Sequence, residues 1–245
     1  MTDGGAAADG AERRSLVRRM LGVFFSPGEA FAALGQHSAC WDWIVPTVLV
    51  AAAGLTSFWL TLPYIEAENR AQVLARLSHL APAEQEKAVA MAVQASRIFG
   101  PVFVPVSALL MVLGAGAVLL AIGRLYLGAP VAYTQTLAVW AHASLVNVLG
   151  FVVRVPLMRA RETIKVFLGP AVLLPDAMLD TFVGRVLAGA DVFMVWQVCL
   201  AGYGLGVIAG GRVGKAMGTV LVLWALVVVA MAGLLPHGPA ASAGG

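Results

Sequence analysis

Gly202–Gly218 reads GYGLGVIAGGRVGKAMG. Glycines in quick succession ahead of Gly214-Lys215 suggest a phosphate-binding loop, and the fold turns on whether that suggestion holds. A Walker loop needs G-x-x-x-x-G-K-[ST] after a strand, the last residue giving its hydroxyl to magnesium. Here Ala209 stands five before Gly214, and Ala216 follows Lys215. Gly204, Gly206 and Ala209 fit a G-x-G-x-x-A string, but it lies inside a long apolar run with no βαβ pattern around it. Both matches fail at the residues that carry the chemistry. Glycine also has a use between helices in lipid. Gly202, Gly206 and Gly210 recur every four residues and share one face of a helix. Small residues at that spacing let a second backbone approach closely, and such packing drives helix association in a bilayer. Gly210-Gly211 and Gly214 then supply the open conformations of a tight reversal, with Arg212 and Lys215 holding it in the headgroup layer.

The rest of the chain agrees with lipid. Its 245 residues are 60% apolar and 12% charged, against about 25% charged in ordinary soluble domains. The apolar residues fall into five nearly uncharged runs, at about 43–62, 98–122, 131–153, 192–210 and 216–235. Each is close to the ~20 residues that cross a ~30 Å hydrocarbon layer as a helix. The fold expected is all-α: a polytopic membrane protein with a bundle of five transmembrane helices over 43–235, plus amphipathic helices at the amino terminus and in a loop. Residues 1–12 and 236–245 read as polar, disordered tails. No cleavable signal peptide is expected, since the first long apolar run starts only near Trp43. Arginine, alanine and glycine usage points to a GC-rich prokaryotic genome, hence a cell membrane. Cys40 and Cys199 are too differently placed to pair, so two free thiols are expected.

Residues 13–42 form the first amphipathic region. Leu16, Met20 and Phe24 recur at helical spacing, with Arg13, Arg14, Arg18 and Arg19 around them. Such a helix lies in the headgroup layer, each arginine drawn to anionic lipid by about 1 kcal/mol. At Ser26-Pro27-Gly28-Glu29 the spacing is that of a capping box, and a second short helix is predicted to start there. Trp41 and Trp43 mark the entry to the bilayer. After Pro63 a polar segment, 64–97, reads as two amphipathic helices broken at Ala81-Pro82. The apolar stretch 166–178 is too short and proline-broken to span and reads as re-entrant or interfacial.

Polar groups inside apolar runs are costly and are functional candidates by default. Five stand out: His142, Asn147 and Arg154 in or beside the third run, Asp191 and Gln197 in the fourth. Arg154 and Asp191 fall near the same membrane face and can pair. These groups serve either to hold helices together or to line a transport path. No nucleophile–base set, paired-carboxylate site or metal-ligand spacing is present, so an enzyme, a metal or another cofactor is not expected. Nucleotide and nucleic-acid partners are not expected either. The partners expected are the bilayer, its anionic headgroups in particular, and a membrane protein or a second copy of the chain.

Three segments resemble the Yip1 family of five-span membrane proteins: FFSPGEAFAAL ahead of the first run, LGAPVAYTQTLAVWAHASLVNVLG leading through the third, and ADVFMVWQVCLAGYGLGVIAGGRVGKAMG at the fourth. The last is similar to the family's Asp-x-Phe-x-x-Trp…Gly pattern through Asp191, Phe193, Trp196 and the glycines. The resemblance covers about 16–233 and implies a cytoplasmic amino terminus and an external carboxyl terminus. Charge does not decide this, because the inner segments carry seven cations and the longer outer loops nine. Eukaryotic members are tied to vesicle traffic and Rab-type GTPases. The segment ahead of the first run is short here, so a GTPase partner is not carried over. A non-catalytic membrane scaffold is the function implied, with a small transporter or channel as the alternative.

Overall fold

The computed structural model describes residues 16–234, and every regular element in them is helical. Helix α1 covers 16–25 and α2 Pro27–Gln36. Then come α3 (Trp41–Arg76), α4 (Pro82–Ala121) ending in a π turn Ile122–Tyr126, α5 (Tyr133–Ala143) and α6 (Val146–Arg161). Two short helices, α7 (Asp176–Leu179) and α8 (Phe182–Gly189), precede α9 (Val192–Ile208) and α10 (Val213–Leu234). The two tails, Arg13, Arg14 and Leu235 lie outside the described residues.

Among the described residues, four helical stretches are long and apolar enough to cross a membrane: 41–76, 82–126, 133–161 and 213–234. A fifth crossing results if α8 and α9, which meet at 57°, count as one bent span. This is a polytopic helical membrane protein. The first two apolar runs sit inside helices far longer than themselves. Helix α3 has 36 residues and α4 has 40, or about 54 and 60 Å at 1.5 Å per residue. The polar segment 64–97 is therefore no separate pair of surface helices. It continues both spans as an antiparallel stalk that turns at 77–81. Pro63, Pro101 and Pro105 each lack an amide donor, yet the helices run through them. Packing between the two helices keeps the geometry where propensity alone would not.

The helices stack in a definite order. The α3–α4 hairpin packs on α5 and α6, these pack on α9, and α9 packs on α10. The third span is the most enclosed, and α10 the least. Val222, Leu226, Val227 and Val229 of α10 are exposed, as are Val102, Phe103, Leu110 and Met111 of α4. In water such surfaces would aggregate. In a bilayer they are the expected outer coat, since lipid tails are as apolar as leucine. Helix α2 closes the side of α9 that no span covers, with Ala30, Phe31 and Leu34 buried. It starts at Pro27, but Ser26 makes no side-chain cap bond. The turn is one residue long, and backbone bonds serve both sides of it, from Ser26 N to Gly22 O and from Ala30 N to Ser26 O.

Candidate functional site

Helix α9 is apolar on every side, as suits a helix with neighbours all round. Its contacts explain its sequence residue by residue. A β-carbon on Gly202 would stand 2.7 Å from Cα of Met217, and one on Gly206 would run into the backbone of Val213. The partner of this glycine face is thus the next helix, α10. Gly210 belongs to the turn instead: its φ is +79°, that of Gly211 is +82°, and nothing lies within 4 Å of a β-carbon at either. Gly214 is already helical, inside α10, and takes no part in the reversal. Gly204 faces the other way, where a β-carbon would sit 2.8 Å from the Phe31 ring of α2 and 2.9 Å from Val139 of α5. Arg212 donates to the carbonyl of Leu127, tying the α9–α10 turn to the α4–α5 loop.

At the other end of α9, Asp191 does two things. Its Oδ1 accepts from the amides of Phe193 and Met194 at 2.9 and 3.4 Å, capping the helix. The same oxygen pairs with Nη2 of Arg154 on α6 at 2.5 Å. A carboxylate at a helix amino terminus also complements the helix dipole. The Arg154 guanidinium lies 5.9 Å from the centroid of the Phe193 ring, and that ring packs on Gly150. One turn further along, Trp196 meets Phe24 of α1 edge to face at 6.2 Å. Beside it, Gln197 Oε1 accepts from the Asn147 side-chain amide at 2.8 Å.

The third span is broken next to that amide pair. Leu145 bonds back to His142, Asn147 to Ser144 and Val148 to Leu145, all three residues apart. This short 3₁₀-like turn separates α5 from α6. A cavity of about 220 Å³ adjoins the break, with Thr47, Gly54, Ser107, Ser144, Asn147 and Gln197 among its walls. The hydroxyls of Thr47, Ser107 and Ser144 bond to carbonyls of their own helices. They soften the cavity wall without offering a free donor. His142 does not line this space. It is fully buried, with Nδ1 2.9 Å from the Ala138 carbonyl, and among the described residues no group bonds Nε2. Gln135, on the same helix face, receives the Ala132 amide at 2.8 Å and donates to the Gly35 carbonyl of α2 at 2.7 Å. The five candidate polar residues thus divide into two bonded pairs and one separate histidine.

Of the amino-terminal arginines, Arg18 and Arg19 are described. Arg19 holds the buried Asp42 of α3 through Nη2–Oδ1 at 3.0 Å and Nη1–Oδ2 at 3.3 Å. The amide of Ala39 also bonds Asp42 Oδ2, at 2.9 Å. Arg19 is therefore a tether between α1 and α3, and of the two described arginines Arg18 is the exposed one. Both border a cavity of about 530 Å³ between α1, α2 and the head of α3, together with Glu29 and His37.

In the stalk, Arg97 grips Glu66 with Nε at 2.5 Å and Nη2 at 2.9 Å. That hydrogen bond and the charge behind it hold the Glu66 carboxyl below its ordinary pKa, against the opposing effect of burial. Glu68 is likewise lowered, first by the hydrogen bond from Gln72 at 3.1 Å and then by Lys165, also at 3.1 Å. Lys165 comes from the loop after α6, so the stalk and that loop are joined. Sequence reasoning missed the tether, the stalk clasp and the docking of α2. Asp42 between two interfacial tryptophans was the one available signal, since an acid there needs a partner. The glutamates are 31 residues from their arginine and 97 from their lysine, beyond any local pattern.

Comparison with known proteins gives one family. A family model described as "Yip1 domain" matches residues 21–234, nearly the whole chain. No curated protein and no solved structure matches significantly.

Proposed function

The chain belongs to the Yip1 family, and we propose that it acts as a non-catalytic membrane scaffold, organising the bilayer or binding membrane partners. The observation that carries this reading is the pairing of the intramembrane polar groups. Asn147 with Gln197, and Arg154 with Asp191, bond to each other across tight helix contacts. Groups so engaged hold α6 against α9 and present little to a passing solute. The setting is the cell membrane of a prokaryote, with the amino terminus on the cytoplasmic face. Anionic headgroups engage Arg13, Arg14 and Arg18 there, and a membrane protein or a second copy of the chain is the partner.

Transport is the second reading, favoured by the cavity of about 220 Å³ beside the broken third span. Binding sites of secondary transporters lie near the midplane where helices are interrupted. Flux of small ions and amino acids into proteoliposomes separates the two. A scaffold gives the rate of protein-free vesicles for wild type, His142→Ala and Gln197→Leu alike. Saturable uptake by wild type that either substitution abolishes would overturn the scaffold reading. Photo-crosslinking in native membranes, with the crosslinker carried at exposed positions of α10, then identifies the partner.

A further inference from the structure

Helices α1 and α2 do not lie across the end of the bundle; they run down into it. Helix α10 serves as a ruler. Its 22 residues span about 33 Å, close to the full hydrocarbon thickness of ~30 Å. Along it, Gly206 of α9 lies against Val213, Gly202 against Met217 and Val220, and Gly189 against Val228. Trp196, six residues before Gly202, is therefore level with about the middle of α10. Helix α2 follows α9 inward from the same end. Gly35 meets Ile208, Phe31 meets Gly204, and Phe24, just before the α1–α2 turn, reaches Trp196. The two helices touch near their turn, with Gly22 against Ala30, and the cavity of about 530 Å³ opens between them beyond it.

Helix α1 carries an exposed apolar stripe. Val17, Leu21 and Phe25 follow one another at four-residue spacing and are 53%, 55% and 86% exposed, while Leu16 and Val23 on the opposite side are buried. The arginines of α1 stand only at its open end, where Arg19 reaches the His37 carbonyl and Asp42. Glu29, in the first turn of α2, borders the cavity of about 530 Å³, which Arg18 and His37 also line. Glu29 is exposed and stands on the cavity side of the pair.

We propose that α1 and α2 form a re-entrant hairpin that enters one leaflet only, to about the bilayer midplane, with the acyl chains of that leaflet covering the Val17–Leu21–Phe25 stripe. The occupant is lipid because the stripe is level with the exposed apolar faces of the spans and carries no charge. This goes beyond the scaffold reading and does not depend on it. It also differs from a helix lying flat among headgroups, for which residues 17 and 25 would sit at equal depth.

The test is a depth measurement on the full chain in phosphatidylcholine–phosphatidylglycerol vesicles. Nitroxide labels go on Phe25→Cys, Val17→Cys and, as the midplane reference, Val222→Cys, in a Cys40→Ser, Cys199→Ala background. All three target positions are exposed, so labelling leaves the packing intact, and thermal unfolding in detergent checks this. Accessibility to oxygen relative to a water-soluble nickel complex reports depth. The hairpin predicts that position 25 matches 222 and that position 17 is shallower. Equal, shallow values at 17 and 25 would overturn it. So would protection of position 25 from both reagents, which would mean that protein, a second copy included, covers the stripe. Neither result bears on flux or crosslinking, so the scaffold reading stands or falls separately.

Discussion

The ring of Phe31 lies on the bare α-carbon of Gly204. A β-carbon there would stand 2.8 Å from Cδ1 and 2.9 Å from Cε1, and Phe31 itself is fully buried. The amino-terminal hairpin and the central helix α9 meet at this point. Truncating the ring leaves a void that a packed interior does not refill, so Phe31→Ala is expected to cost about 3 kcal/mol. Thermal unfolding in detergent should show the loss. In the nitroxide experiment, the label at position 25 should then become shallower and more mobile.

The glycines of α9 and α10 differ in what an added methyl meets. Gly202→Ala drives a carbon to 2.7 Å from a backbone atom of Met217, and only separation of α9 from α10 relieves that. Gly214 and Gly218 face open space. Alanine at either of these should raise helix stability by about 0.5–1 kcal/mol. Melting temperatures of the three variants should therefore fall on opposite sides of wild type, Gly202→Ala below and the other two at or above it.

Removing one member of the Arg154–Asp191 pair leaves the other charge without its partner. Asp191→Ala loses the ion pair and the cap together, and about 2–3 kcal/mol is expected. Asp191→Asn keeps a capping oxygen and should cost less. The double substitution Arg154→Met, Asp191→Asn should recover part of the Arg154→Met loss, since no charge is then stranded. A double-mutant cycle on unfolding free energies measures the coupling. Asn147 and Gln197 form a neutral pair, and Gln197→Leu should cost about 0.6 kcal/mol, at most ~1.7.

Acid should act on the stalk before the spans. Glu66 and Glu68 are held below the ordinary carboxylate value in the folded chain. A depressed acid contributes stability that is full above its unfolded pKa of about 4.3 and is lost as pH falls through the folded value. Both glutamates belong to exposed pairs, whose contribution is about 0–1 kcal/mol. Carboxyl-resolved NMR titration should place the midpoint of Glu66 below that of a free glutamate, and Arg97→Gln should move it up. An unchanged midpoint in that variant would remove the clasp from the account.

Much of this was written in the local pattern. Length and absence of charge mark the spans, and four-residue glycine spacing marks the close face of α9. Asp191 is recognisable as a start signal before an apolar run. What local pattern could not supply was anything set by long-range partners. Pro63 and the charges beyond it read as the end of a helix, yet α3 continues because α4 lies alongside it. Arg19 read as a headgroup contact, because nothing near it in the chain announces Asp42, 23 residues on. The third span looks continuous by hydropathy, and its 3₁₀ break at Ser144 leaves no compositional mark. His142 and Asn147 look alike as polar intruders, and only the structure separates a bonded amide from a histidine with one nitrogen unmet.

The stalk has a practical corollary. Residues 63–76 carry α3 about 21 Å past its apolar stretch, on one side of the bundle only. A chain of 25.4 kDa in a detergent micelle is ordinarily too featureless to orient in electron micrographs. A helical pair protruding from one end gives each particle a recognisable top. Antibody fragments raised against the 77–81 turn would enlarge that handle without touching the lipid-facing surface.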